Sequence, residues 1–403
     1  MTTPWRTHAP LLTAICGLGL IFVLAACKDS TSSIAAVEDD DVAPPPTAVV
    51  RNYNGTASVG DMLTISVDAT ALVITYENLT AGHSGTASYV MESDGSWTIN
   101  DVRNGHLLKG YEIPNFALVL QVALAGPGAD QPAIVTAIKS QSIEASDLAG
   151  SGLHNYMQFR TNGGGVELGW LDGEENGDMR SQYYWPYGGT GHSASSAAYS
   201  ATDAFPSSDF VAGPENRYLI ANVEPGEPPS YIFRTTGGFL AIDTPNGSLV
   251  CMQQAATSAF LDANVGTYKA FTYHKANAHG DSSGEETGTP SVSTNRVVFR
   301  RSTDVAHPER GHLTIYSPDG STIIADTELM NLTDGGHVGA GKLINACNGL
   351  FTFTLVDGTR TNQIFVTFLT DTALIASFSY DSALPDTYSY FYGTALRVVA
   401  AGG

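Results

Sequence analysis

Residues 311–329, "GHLTIYSPDGSTIIADTEL", and residues 349–369, "GLFTFTLVDGTRTNQIFVTFL", decide the fold class. Each segment has two runs of β-branched and aromatic residues, separated by an Asp-Gly pair at Asp319 or Asp357. Asp-Gly tolerates the positive φ angles of a tight hairpin turn. Each segment therefore predicts two antiparallel strands joined by a short turn.

The same pattern recurs along the chain, with a third Asp-Gly pair at Asp94. Long helical periodicity is absent, and short helices are conceivable only at 142–149 and 252–264. The 42 glycines and 19 prolines fit a chain with many turns. We predict an all-β protein whose mostly antiparallel meander sheets form two sandwich- or barrel-like domains.

The part of the chain after residue 50 is about 350 residues long, which exceeds what one hydrophobic core usually serves. Two domains are therefore expected, covering residues 51–240 and 241–403. The division is placed after "RTTGG", residues 234–238, because that stretch has the composition of a connecting turn.

The first residues have the layout of a secretory signal: Arg6, an apolar run over 11–24, and small residues before Cys27. Leu24-Ala25-Ala26-Cys27 resembles the lipobox of bacterial lipoproteins. The resemblance is confined to the first 30 residues, and it implies cleavage after residue 26 and acylation of Cys27. An ordinary signal peptide with an incidental cysteine is the alternative.

Residues 27–50 combine Ser, Thr, an acidic run and three consecutive prolines, which predicts a disordered tether. Acyl chains on Cys27 would hold the protein at a membrane. In lipoproteins of this kind, an Asp directly after the cysteine favours retention at the inner membrane. Lys28 occupies that position here, so we expect a cell-envelope protein at the outer membrane.

Acidic residues outnumber basic ones by 40 to 19, giving a formal net charge of −21. Such a chain repels polyanions, so nucleic acid is not an expected partner. Of the four cysteines, Cys16 lies in the predicted signal and Cys27 is the predicted lipid site. Cys251 and Cys347 remain, and in an oxidising compartment they are predicted to form a disulfide. Two separate buried thiols are the alternative.

A loop at residues 172–178 partly resembles the start of a calcium-binding loop, because oxygen-bearing side chains alternate in it. These residues are Asp172, Glu174, Asn176 and Asp178. The pattern departs from the EF-hand, since Glu174 replaces the usual Asp or Asn and Tyr183 replaces the bidentate glutamate. A Ca²⁺ site is one interpretation of this loop, and a solvated acidic hairpin is the other.

Aromatic residues follow directly, at Tyr183, Tyr184, Trp185 and Tyr187. Such residues can stack on a sugar or planar ligand, although aromatic side chains also pack in β-sheet cores. We predict non-catalytic binding of a small molecule, glycan or envelope protein at this cluster. A structural or adhesive surface lipoprotein is the alternative, and a hydrolase is less favoured because no acid, base and nucleophile form a recognisable motif.

Overall fold

The computed structural model describes residues 48–398, except 101–106, 125–130, 149–151, 160–165, 174–177, 185–202, 214–215, 221–229, 236, 246, 280–288, 332–347 and 382. The predicted signal peptide and nearly all of the predicted tether lie outside these residues. No helix in the described ranges is long and apolar enough to cross a membrane.

The first eight strands form a closed antiparallel barrel, called here the N-terminal barrel. Each strand pairs with the next along the chain, and the last pairs with the first to close the barrel. The strands are β1 (Val50–Ala57), β2 (Met62–Asp68), β3 (Val73–Asn78), β4 (His83–Met91), β5 (Trp97–Asn100), β6 (Leu107–Ile113), β7 (Ala117–Leu124) and β8 (Gln131–Lys139).

Side chains fill the interior of this barrel. Along β4, Ala87 and Tyr89 are buried whereas Ser88 and Val90 are exposed, as the two-residue period of a strand requires. Inside the barrel, the rings of Tyr89 and Trp97 stack with centroids 4.4 Å apart.

A nine-stranded antiparallel sheet, the middle sheet, follows the N-terminal barrel. Its edge strands β12 and β13 are neighbours in the chain and are separated by one short 3₁₀ turn. The strands are β9 (Gly152–Phe159), β10 (Val166–Gly173), β11 (Met179–Tyr184), β12 (Asp203–Phe205), β13 (Phe210–Ala212), β14 (Tyr218–Ile220), β15 (Ser230–Arg234), β16 (Phe239–Thr244) and β17 (Gly247–Gln253).

The last eight strands form a second closed antiparallel barrel, the C-terminal barrel. Strand β25 pairs with β18 along most of its length and closes the barrel. The strands are β18 (Gly266–His279), β19 (Thr289–Arg301), β20 (Gly311–Tyr316), β21 (Ile323–Asn331), β22 (Leu350–Asp357), β23 (Arg360–Leu369), β24 (Thr372–Asp381) and β25 (Leu384–Arg397).

The three sheets share one hydrophobic cluster, which includes buried residues from both barrels and from the middle sheet. The ring of Phe159, on β9, stacks on Tyr392, on β25, with centroids 4.7 Å apart. A buried contact of 2.7 Å joins the hydroxyls of Thr136 and Thr394, on the two barrels. The described strands therefore pack as one body with continuous apolar contacts.

The prediction of an all-β chain with two barrel-like domains is confirmed. All three Asp-Gly pairs lie at hairpin turns, and the glycines Gly95, Gly320 and Gly358 have positive φ angles. Helix in the described residues is limited to one turn, α1 (Ala145–Leu148), and two 3₁₀ turns.

The predicted domain boundary between residues 240 and 241 lies inside β16. Leu240 pairs with Arg234 on β15 and with Cys251 on β17, so the sheet is continuous at this point. Gly238, the last residue of the "RTTGG" stretch, lies between β15 and β16 and has a φ of +81°. This turn therefore joins two strands of the same sheet.

Candidate ligand-binding site in the C-terminal barrel

One end of the C-terminal barrel is closed by an aromatic plug, formed by Phe260 and the rings around it. The Phe260 ring is fully buried, with centroids 5.4 Å from Phe351 and 5.5 Å from Phe368. It packs against Gly311, where a Cβ atom would come within 2.3 Å of the ring. This end of the barrel is thus sealed by well-packed rings.

The other end of the barrel holds a cavity of about 280 Å³, called here the mouth cavity. Its walls come from the inward faces of β18, β19, β20, β21, β24 and β25. Its size is of the order of known ligand pockets, which range over ~300–1,000 Å³. The residues that line it are Ala270, Thr272, His274, Ser291, Ser293, Asn295, Val297, Ile315, Pro318, Ile324, Ile375 and Phe391.

Three polar side chains on one wall of the mouth cavity form a triangle of short contacts. The Thr272 hydroxyl lies 2.8 Å from the Ser293 hydroxyl and 2.9 Å from Asn295 Oδ1. The Ser293 hydroxyl lies 2.7 Å from the same Oδ1 atom. Thr272 and Asn295 are each 5% exposed, so this polar triangle sits in the wall of the barrel.

The polar triangle has unused hydrogen-bonding capacity. The two hydroxyl groups have only two protons, so only two of the three oxygen–oxygen contacts can be hydrogen bonds at one time. Each hydroxyl oxygen has two lone pairs, so some remain available as acceptors. Asn295 Nδ2 donates one hydrogen bond to the Tyr316 carbonyl, at 2.9 Å. An amide nitrogen carries two donors, so one remains for a ligand. The wall can therefore both donate to and accept from a bound group.

The described residues that line the mouth cavity include no Asp, Glu, Lys or Arg, so this part of the lining has no formal charge. Among these described lining residues His274 is the only titratable side chain, and it is exposed at the rim. Desolvation by the surrounding wall lowers the pKa of His274, which favours the neutral imidazole near neutral pH. In the same lining, Ile324, Ile375 and Phe391 supply an apolar surface.

A slit between β21 and β22 opens the side of the same barrel. In the described residues these strands pair only at Met330 and Asn331, against Thr352 and Phe351. Beyond that point the strands separate around a second cavity of about 430 Å³. Ile324 and Phe391 line both cavities, so the slit adjoins the mouth cavity.

The two barrels have the same number of strands but differ in the volume that is left free inside them. The N-terminal barrel leaves about 60 Å³, lined almost entirely by aliphatic side chains such as Leu63, Ile74 and Ile99. Eight-stranded barrels are either filled by side chains or wide enough for one small ligand. The N-terminal barrel is of the first kind, and the geometry of the C-terminal barrel suits the second.

The predicted aromatic cluster lies on β11 of the middle sheet and in the chain after it. Tyr183 and Tyr184 pair with Gly169 and Leu168 on β10, and only their backbone is described. Trp185 and Tyr187 lie outside the described residues. Binding at this cluster stays a prediction.

The predicted calcium loop joins β10 to β11, and Glu174 and Asn176 lie outside the described residues. Asp172 is at the end of β10, opposite Arg180 of β11. Asp178 accepts a hydrogen bond from the backbone N–H of Ser207, at 2.8 Å. Within the described ranges, no group of three or more His, Cys, Asp or Glu side chains could hold a metal ion. The Ca²⁺ site also stays a prediction.

Of the predicted disulfide pair, only Cys251 belongs to the described residues. Its thiol is fully buried in the middle sheet, and burial raises its pKa well above the ordinary value. It forms no disulfide within the described part of the chain. Cys347 and the predicted lipid site Cys27 lie outside that part, so both modifications stay predictions.

The polar triangle was not predicted from the sequence, although a signal for it exists. Ser291, Ser293 and Asn295 alternate along β19, and Thr272 and His274 alternate along β18. Polar residues at every second position on a strand normally indicate a solvated face. Only the closure of the barrel shows that this face points inward.

No known protein family matches the chain, and no curated protein does either. Among solved structures, one match is a protein of unknown function of the DUF3598 family from Nostoc punctiforme. It is 10% identical, covers 64% of this chain and all of its own, and has a TM-score of 0.26. Another is the vaccine antigen transferrin-binding protein B from Haemophilus parasuis. It is 11% identical, the match covers 84% of this chain and 66% of that protein, and the TM-score is 0.18. Both TM-scores are below 0.5, so neither similarity supports an argument about function.

Proposed function

We propose that this protein binds a small, mainly apolar molecule in the C-terminal barrel, without catalysis, while a lipid on Cys27 holds it in the cell envelope. One observation carries the binding proposal: the mouth cavity combines a polar triangle with an apolar wall in a barrel that is closed at its far end. A few convergent polar groups in a largely apolar pocket are typical of small-molecule sites.

Comparison of the two barrels within the same chain supports this reading. If the C-terminal barrel served only to bury apolar surface, side chains could fill it as they fill the N-terminal barrel. Burying hydroxyl and amide groups inside a barrel costs free energy unless they are hydrogen-bonded. A partly used polar triangle next to a cavity is explained by a ligand that completes its hydrogen bonds.

Titration with N-phenyl-1-naphthylamine, an uncharged apolar fluorophore, tests the binding proposal. We expect saturable fluorescence enhancement with the natural chain, and loss of it in Ser291→Trp, because an indole at the exposed rim position would fill the mouth. Ser88→Trp is the matched control, since Ser88 is an exposed residue on the outside of the N-terminal barrel. Equal binding by all three proteins would show that the fluorophore binds elsewhere and would refute the proposed site.

Metabolic labelling with a radioactive fatty acid tests the anchor. Cys27→Ala should abolish labelling and release the protein from the membrane fraction, because the acylated thiol is gone. Cys16→Ala should keep the label, since that cysteine leaves with the signal peptide. Labelling that survives Cys27→Ala would refute the lipid anchor and leave the binding proposal untouched.

A further inference from the structure

We infer that the ligand is an uncharged amphiphile with a hydroxylated head at the polar triangle and an aliphatic tail in the slit between β21 and β22. This inference rests on the proposed binding function and specifies the class of ligand. It also adds the slit to the site as a second compartment.

The hydrogen-bonding pattern selects the head group. The polar triangle presents hydroxyl lone pairs and one amide N–H, which match a hydroxyl group because it both accepts and donates. A carboxylate or phosphate mainly accepts, and it would bring a charge to a lining in which the described residues include no Lys or Arg. Burying an unpaired charge is far more costly than burying a hydrogen-bonded hydroxyl.

The slit provides a place for the tail. Its walls include Ile324, Phe353, Leu355 and Ile364, and it meets the mouth cavity at Ile324 and Phe391. Asp326 is the only charged residue among the described residues that line the slit, and its carboxylate already accepts hydrogen bonds from Thr314, at 2.7 Å, and His312, at 2.8 Å. Six of the ten described residues that line the slit are apolar, and the slit adjoins the compartment of the head group.

Two of the apolar side chains that line the slit are also exposed. Ile324 on β21 is 55% exposed and Leu355 on β22 is 48% exposed. Burial of apolar surface contributes about 25 cal/mol per Å², so a tail beside Ile324 and Leu355 would be stabilised by covering them. Ile324 and Leu355 lie on two strands that separate at this point, so a single aliphatic chain could enter the barrel from the side between them.

Three probes with the same oleoyl chain separate the effects of head and tail: 1-monooleoylglycerol, methyl oleate and oleate. Each is measured by displacement of N-phenyl-1-naphthylamine at pH 8, where oleate is charged. We expect 1-monooleoylglycerol to bind roughly tenfold more tightly than methyl oleate, which accepts but cannot donate hydrogen bonds, and oleate to bind most weakly. Oleate binding most tightly would overturn the inferred head group while leaving the proposed function intact. Failure of every probe, including the fluorophore, would overturn the proposed function itself.

Ser293→Ala isolates the polar triangle. We expect it to weaken 1-monooleoylglycerol binding by about fivefold to tenfold, because one hydroxyl is lost, and to leave oleate binding within about twofold. An equal loss for all probes would mean that the variant disturbs the barrel generally and would overturn the role of Ser293 in selecting the head.

Ile324→Asp and Ile323→Asp isolate the slit, because the neighbouring residues have nearly equal exposure but only Ile324 lines the two cavities. A charge at 324 should weaken all three oleoyl probes by about tenfold or more, whereas the same charge at 323 should have little effect. Equal affinities for the two variants would overturn the placement of the tail in the slit.

Discussion

At the scale of single residues, Asp243 is the most unusual ionisable group in the described structure. It is fully buried where β16 faces the N-terminal barrel, and it accepts a hydrogen bond of 2.7 Å from the hydroxyl of Thr56. Desolvation raises the pKa of Asp243 well above its ordinary value of 3.8, although the bond from Thr56 opposes that rise and Asp61 adds to it. The carboxyl group is therefore protonated in the folded protein at pH values where it ionises in the unfolded chain.

This difference predicts a pH dependence of stability. Above its ordinary pKa, the unfolded state loses the proton that the folded state keeps, so the free energy of unfolding falls as pH rises toward the folded pKa. The maximum slope from one such group is about 1.4 kcal/mol per pH unit. Asp243→Asn should flatten this part of the profile, because an amide keeps an acceptor for Thr56 and does not ionise. Urea unfolding of both proteins from pH 4.5 to 8 measures the difference, and parallel profiles would contradict it.

At the scale of strands, the seam between β21 and β22 is the weakest pairing in the C-terminal barrel. Most of β21 is hydrogen-bonded to β20, and β22 is hydrogen-bonded to β23 along its length, but the two strands share only two paired positions in the described chain. Edges of this kind leave backbone N–H and C=O groups open to solvent. The seam can therefore open locally without loss of the rest of the barrel.

Hydrogen exchange followed by NMR tests whether the β21–β22 seam opens locally. Amides of Ile324–Glu328 that point away from β20 should exchange much faster than amides of the β1–β8 pairing, which closes the N-terminal barrel through five paired positions. The bound amphiphile should slow exchange at the seam, since it excludes water from the slit. Equal protection from exchange at the β21–β22 seam and at the β1–β8 pairing in the free protein would show that the edges of the seam are not open.

The strands were predictable from sequence, whereas the site was not. The turns at Asp94, Asp319 and Asp357 were predictable because a local dipeptide determines their geometry. Residues of the polar triangle come from two strands, and Phe391 on β25, which lines the same cavity, lies almost one hundred positions beyond Asn295 in the chain. Such a site depends on strand register and on barrel closure, neither of which leaves a local pattern. The acidic and aromatic residues at 172–187 form a local sequence pattern because they are adjacent in the chain, and such adjacency says little about a barrel interior.

At the scale of the whole molecule, the three sheets are joined by polar as well as apolar contacts. Lys269 of the C-terminal barrel forms an ion pair with Asp94 of the N-terminal barrel, and Asn155 Nδ2 of the middle sheet donates to Thr367 Oγ1 at 3.2 Å. Burial would raise the pKa of Asp94, but hydrogen bonds from Lys269 and Ser96 lower it to about 2. Asp94 also accepts hydrogen bonds from Ser96 in the turn between β4 and β5, so one side chain shapes a local turn and joins two barrels.

The shared hydrophobic cluster predicts that both barrels unfold together. Leu118→Ala removes a fully buried side chain inside the N-terminal barrel and should cost ~2–5 kcal/mol. If the described strands form one cooperative unit, the urea midpoint of the C-terminal barrel should fall as far as that of the N-terminal barrel. Hydrogen exchange with mass spectrometry would compare peptides from β7 and β24 at increasing urea concentrations. Phe159→Ala is the control, because its ring packs at the junction and its loss weakens the contact between sheets directly. A shift confined to β7 in Leu118→Ala would show that the barrels are separate folding units, and the ligand site would then be independent of the N-terminal half.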